Sequence, residues 1–198
     1  MNGWPLFWLL AALETAAFAA MFVAFGSDEA GLRALVRQTA RISFVVFLVV
    51  YTAAPLRRLW PTAASRWALH NRRALGVSFA WAHGLHALAI GMLALLLGDA
   101  FAVDLATLVG GGGTYLLIAA MALTSTDRTA RWLGPRRWAL LHRTGLHATW
   151  VIFAISWASR AGSSGLYLAF TLVTVAAALL RATASRSRSV GAVAPAVS

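Results

Sequence analysis

The sequence predicts an all-α integral membrane bundle of six transmembrane helices, and three observations carry that prediction. The chain of 198 residues is 60% hydrophobic and only 12% charged, with a mean hydropathy of +0.73, far from the mix of soluble domains. Its apolar residues fall into six runs of about 16 to 25, the length an α-helix needs to cross a hydrocarbon core of about 30 Å. Its 17 basic residues are all arginines, and they cluster between the runs, where arginines set topology and meet lipid phosphates. The net charge of +11 therefore points to a membrane surface and away from nucleic acid. Lack of lysine removes a retinal Schiff base. Lack of cysteine removes disulfides, thiolate metal and iron–sulfur sites, and covalent haem attachment.

Residues 4–25 form the first run, interrupted only by Glu14. No basic segment precedes it, so it reads as a retained helix and not as a signal peptide. Glu14 has two open readings, a proton relay or a partner for an arginine. After a polar loop with Asp28 and Glu29, the second run spans 38–55, with Arg41 near its start, and Pro55-Leu56-Arg57-Arg58 is expected to stop it. The third, 74–98, carries His83 and His86. An acidic loop with Asp99 and Asp104 leads to the fourth, which holds Gly110 to Gly113 and ends at Thr124-Ser125-Thr126-Asp127. Four glycines suit a close approach to a flat ring or to another helix. The fifth run, 137–158, carries His142 and His147, and the sixth spans 165–180. One transmembrane domain, 1–181, is thus expected, followed by a disordered cytoplasmic tail over 182–198 rich in Ser, Arg, Ala and Val.

With six spans, the arginine clusters Arg57 to Arg73, Arg128 to Arg137 and Arg181 to Arg188 fall on one side, against Arg33, Arg37, Arg41 and Arg160 on the other. The positive-inside rule then puts both termini in the cytoplasm, in an inner (plasma) membrane. Trp60, Trp67, Trp132 and Trp138 gather at the same interface, as an aromatic belt does.

Four of the five histidines lie on the third and fifth spans, and the fifth, His70, lies in a loop. The tetrapeptide Gly-Leu-His-Ala occurs twice, at Gly84-Leu85-His86-Ala87 and Gly145-Leu146-His147-Ala148, each copy entered through an arginine pair, Arg72-Arg73 and Arg136-Arg137. Counted from those pairs at about 1.5 Å per residue, His86 lies ~20 Å and His147 ~15 Å into the membrane, His83 ~15 Å and His142 ~7 Å. A lone intramembrane histidine is most simply a satisfied core residue, but four on two parallel helices, with candidates at similar depth and only His142 nearer the cytoplasmic face, point to a ligand set. The expected set is one bis-histidine haem b, bound non-covalently, with His86 and His147 as axial ligands to the iron. Depth alone pairs His83 with His147 equally well. His83 otherwise bonds a propionate or stands in as a ligand, and His142, beside Arg143, meets propionates or a quinol head group. Trp150 lines a haem face or is simple packing. A zinc or copper site would be helped by nearby carboxylates, and Glu14 has no histidine at helical spacing.

Arg72-Arg73-Ala74-Leu75-Gly76 with His86, then Leu123-Thr124-Ser125, then Trp138-Ala139-Leu140-Leu141-His142-Arg143, together with Pro55-Leu56-Arg57-Arg58, resemble the ferric-reductase-like transmembrane domain family over about residues 40–160. Within it the chain looks closest to the haem-binding membrane subunit of periplasmic methionine sulfoxide reductase systems. The resemblance implies a six-helix b-type cytochrome that takes electrons from a cytoplasmic flavin reductase (FMN or FAD) or from quinol and passes them to a periplasmic redox partner. It also implies haem ligands on the third and fifth helices, where His86 and His142 stand at matching positions. The family's further histidine, three and a half turns after the one in Leu-His-Arg, is replaced by Ile155, and His147 is the candidate substitute.

The expected function is electron transfer as a subunit of an oxidoreductase system. No Gly-rich nucleotide fingerprint follows a strand pattern, so a partner or the quinone pool must supply the electrons. The competing class is a non-redox membrane protein, a metal or proton transporter or an assembly factor, that uses the same histidines. A transporter more naturally shows paired carboxylates or broken helices repeated in both halves.

Overall fold

The structure, a computed structural model, describes residues 2–193, with side chains as far as Arg186. Among the described residues there are eight α-helices and no strand: α1 Trp4–Phe25, α2 Glu29–Leu59, α3 Ala63–His70, α4 Arg72–Leu97, α5 Leu105–Leu123, α6 Asp127–Leu133, α7 Pro135–Ala158 and α8 Gly165–Val193. Five of them, α1, α2, α4, α5 and α8, are long and apolar enough to cross a membrane. The sixth expected span, α7, has the length, 24 residues or about 36 Å. It is less apolar because Arg136, Arg137, His142, Arg143 and His147 all lie on it.

The chain reverses between α1 and α2 over three residues. Gly26 sits at φ +83, the left-handed region that glycine enters without cost, and Asp28 caps α2 by accepting from the Gly31 amide at 2.8 Å. A Cβ on Gly31 would stand 2.3 Å from the Phe25 carbonyl and 2.5 Å from that of Gly26, so only glycine lets the two helices meet so closely.

α2 differs from the expected 38–55 at both ends. It begins at Glu29, stabilised by an Arg33–Glu29 pair at 2.7 Å one turn apart, and it runs through Pro55 to Leu59. Proline has no N–H to return to the carbonyl four residues back, which leaves the Tyr51 carbonyl open. Arg181 of α8 fills that position, donating from Nη1 at 2.9 Å, with its guanidinium 4.8 Å from the Tyr51 ring centre. An acceptor from outside the helix allows the helix to continue past its proline.

The tail is also corrected. α8 does not stop near residue 181 but continues as helix to Val193, consistent with the helix-favouring alanines and arginines there and no glycine before Gly191. Positions 194–198 of the expected tail lie outside the described residues.

α2 is the central element, packed against α1, α3, α4 and α8, while α7 packs between α5 and α8. Phe44, Phe47 and Tyr51 of α2, Phe79 of α4, Ile118 of α5, Phe153 and Trp157 of α7 and Ala177 of α8 form the core. Lipid tails are as apolar as these side chains, so in a bilayer such a core is held by dispersion and ring geometry more than by exclusion of water. Phe44 touches Phe153, Trp157 and Phe170 at centroid distances of 5.1 to 5.3 Å, within the favourable range for aromatic pairs.

The arginine-rich loops gather at one end. Two short helices that the apolar pattern does not announce, α3 and α6, lie there, with Trp60, Trp67 and Trp132 exposed. Asn71, 1% exposed, accepts from the Gly3 amide and donates to the Asn2 side chain, both at 2.9 Å. Arg73 meets Asp127 at 2.7 Å, tying the start of α4 to that of α6.

Candidate functional site

α2 and α4 run antiparallel, and their facing side chains form a polar ladder. His83 Nδ1 lies 2.8 Å from Ser43 Oγ and His86 Nδ1 3.0 Å from Thr39 Oγ1. Histidines three apart on α4 thus face hydroxyls four apart on α2, each pair on one helix face. Thr39 Oγ1 also lies 2.8 Å from the Leu35 carbonyl, which can only accept. A hydroxyl has one proton, so Nδ1 of His86 is the donor to Thr39, and its Nε2 keeps a free lone pair. Hydrogen bonding at Nδ1 is what orients histidines that ligate through Nε2. The two rings are 5.4 Å apart. His83 is buried and His86 half-buried.

His83 also lines a cleft of about 370 Å³ between α4 and α5, a volume in the range of cofactor and ligand pockets. Ala80, Gly84, Ala119 and Ala122 supply small walls, and Phe7, Trp81 and Tyr115 larger apolar ones. The Tyr115 ring centre is 4.5 Å from that of His83, and its buried hydroxyl has no hydrogen-bond partner. The cleft exists because α5 leans on α7 more than on α4. Gly145, the glycine of the second Gly-Leu-His-Ala, lets α7 approach α5, since a Cβ there would stand 2.6 Å from the Met121 sulfur. Gly84 of the first copy has open space beside it. The repeated tetrapeptide therefore has two different roles. In the glycine run only Gly110 is near a neighbour, Ile152 of α7 at 3.3 Å from a built Cβ, while Gly111, Gly112 and Gly113 have nothing within 4 Å.

The structure brings His83 and His86 together and does not bring His86 and His147 together. His147 is exposed and packs edge-on against Tyr51 at 6.1 Å. Along α2, Tyr51 lies about 18 Å of helix rise from Thr39, the level of His86. The residue of α7 that reaches the histidine pair is Phe153, 5.9 Å from His83 and 6.5 Å from Phe79. Measured from the arginine pairs, Phe153 stands six to ten residues further along its helix than the α4 residues it touches, so α7 is displaced by about 9 to 15 Å toward the arginine-rich end. The two arginine pairs do not mark a common depth, and that displacement is what separates the expected ligands. His142 lies apart from both, its Nε2 3.2 Å from Thr124 Oγ1 and its ring stacked on Trp138 at 4.1 Å. Ile155 is 61% exposed and His70 is exposed at the end of α3. Trp150 donates to the Thr174 carbonyl at 3.0 Å and packs against the aromatic core.

A haem with two imidazole ligands from His86 and His147 does not fit this packing, because Thr39 and Tyr51, which those two rings touch, stand about 18 Å apart along α2. A haem with one imidazole ligand fits better: His83 is held at Nδ1 by Ser43 and stands in a cleft with small, flat walls. For the zinc or copper alternative, no three His, Cys, Asp or Glu side chains come together among the described residues.

Fold and site thus define an all-α, multi-pass membrane bundle with an intramembrane histidine pair opening on a cleft. Comparison with protein-family models, with curated proteins and with solved structures returned no match to this chain.

Proposed function

We propose that the chain is a membrane b-type cytochrome in which haem b would be held non-covalently in the α4–α5 cleft by the His83 imidazole. The observation that carries this reading is an intramembrane imidazole, oriented by a hydroxyl on the neighbouring helix, in a cleft of cofactor size. Bound there, the haem would carry single electrons through its iron. Ser43 holds the ring of His83, and the small wall residues admit a flat macrocycle. Tyr115 offers an unused hydroxyl. His142, next to Thr124 where the cleft wall ends at Leu123, is the candidate partner for propionates at the arginine-rich end. Electrons would come from a cytoplasmic flavin reductase or from quinol and leave to a redox partner on the other side.

A reduced-minus-oxidised visible spectrum of the purified protein tests the reading. The expected result is a b-type spectrum that His83→Ala abolishes and His147→Ala leaves in place. Loss with His147→Ala and not with His83→Ala would overturn the cleft assignment in favour of the bis-histidine pair. A colourless protein after expression with ample haem would overturn the cytochrome reading. The second reading, a proton path through the same histidines, would then stand on the polar line Thr39–His86 and Ser43–His83.

A further inference from the structure

On α1, opposite Thr39, a carboxyl is buried without a partner. Glu14 is 8% exposed, and neither carboxyl oxygen has a hydrogen bond. A void of about 10 Å³ lies between it and α2 and α4, lined by Glu14, Phe18, Met21, Thr39, Ala82 and Leu85. That is about the least space that holds one water. Only Glu14 and Thr39 among those wall residues are polar. The Thr39 hydroxyl gives its proton to Leu35 and accepts one from His86, which leaves it one unused lone pair.

We propose that this void is a water site joining the Glu14 carboxylic acid to the Thr39 hydroxyl, and that Glu14 is an exchangeable proton store inside the bundle. An ionised carboxyl without a countercharge in such surroundings is costly, whereas the neutral acid has a proton to donate. The hydrogen-bond count then closes. Glu14 donates to the water, the water donates to Thr39, and Thr39 donates to Leu35. The water's second O–H donates back to the other Glu14 carboxyl oxygen, so in exchange the acid proton passes to the water as one of the water's protons passes to that oxygen: one O–H bond breaks and one forms on each partner, and both stay neutral. From the three helices around the void, the titratable groups concerned are Glu14 itself and, behind Thr39, His86. This site does not depend on haem and is expected equally in a colourless protein.

Infrared spectroscopy of the purified protein in lipid at neutral pH tests it. The other acidic residues, Asp28, Glu29, Asp99, Asp104 and Asp127, are all exposed to solvent, so a protonated-carboxyl C=O band at that pH reports on Glu14. The expected band is present in the wild type, lost in Glu14→Gln, shifted in Thr39→Val, unshifted in Thr39→Ser, and moved down in D₂O. Absence of the band, or its persistence in Glu14→Gln, would overturn the proton store. A band unmoved in Thr39→Val variants of native helical content would overturn the water link, and one unmoved in D₂O would overturn exchange. Thr39→Ser, which keeps the hydroxyl, serves the same comparison if Thr39→Val fails to fold: a shifted band there overturns the link.

Discussion

Single atoms decide several properties of this bundle. Ser43 Oγ is the only polar side-chain contact of His83 Nδ1 among the described residues, so Ser43→Ala should release the ring. If His83 ligates, the spectrum should shift and haem affinity fall by roughly the 10- to 100-fold typical of lost ligand-orienting bonds, which haem titration with the purified protein would read. Gly31 is constrained differently. Its Cβ would meet backbone carbonyls, which cannot rotate away, so Gly31→Ala should cost about 1–3 kcal/mol in an unfolding titration in mild detergent, whereas Gly84→Ala, with open space beside it, should be tolerated. Thr39 and Ser43 were not picked out by the apolar pattern, although a signal was there: two hydroxyls four apart on one span and two histidines three apart on the next. What no pattern in the sequence states is that those two faces meet.

At the scale of elements, α2 shows how a helix breaker is accommodated by another helix. The Pro55 ring leaves the Tyr51 carbonyl open, and Arg181 of α8 closes it. Arg181→Met should therefore destabilise by about 1–3 kcal/mol, the usual cost of orphaning a buried polar group. In a Pro55→Ala background, whose N–H can return to Tyr51, that loss should shrink by about 1 kcal/mol, and a double-mutant cycle on denaturation midpoints would measure the difference. Proline and paired charges at 55–58 read locally as a stop, and the residue that overrides the stop is more than a hundred positions away. α7 carries the parallel lesson for the site. Its length and histidines were legible in the sequence, but its displacement along the bundle axis is set by contacts such as Phe79 with Phe153, which count from no arginine pair.

For the molecule as a whole, the arginine-rich loops, α3, α6 and the N-terminal residues form one end. The Arg73 guanidinium beside Asp127 holds its carboxyl below the usual range. A carboxylate with a depressed folded pKa adds stability above its unfolded value and loses it as pH falls through the folded one. Asp127 is exposed, so the effect is small: the midpoint of Asp127→Asn should fall slightly below wild type at neutral pH and coincide with it once the carboxyl is protonated. Sidedness can be read directly because the chain has no cysteine. In intact cells a membrane-impermeant thiol reagent should label Val103→Cys and spare Ala64→Cys, and the reverse pattern would place the arginine-rich end outside.

The sequence by itself determined the class of the molecule. Transfer of side chains into hydrocarbon depends on composition and run length, so six apolar runs, five of them meeting the full requirement for a span, and arginines between them were enough for an all-α membrane bundle. It also put Glu14 and four of the five histidines inside the runs, with Arg41 and Arg143 nearer their ends. Only the tertiary structure decided which of them share a site. It placed His83 and His86 against Ser43 and Thr39, set Phe153 where His147 was expected, and left Glu14 facing a void. The physical reason is that hydrophobicity sets how deep a helix lies only to within a turn or two, while ligation and hydrogen bonding need ångström agreement. That agreement comes from steric contacts between helices, such as Gly145 on Met121 and the aromatic rings of the core.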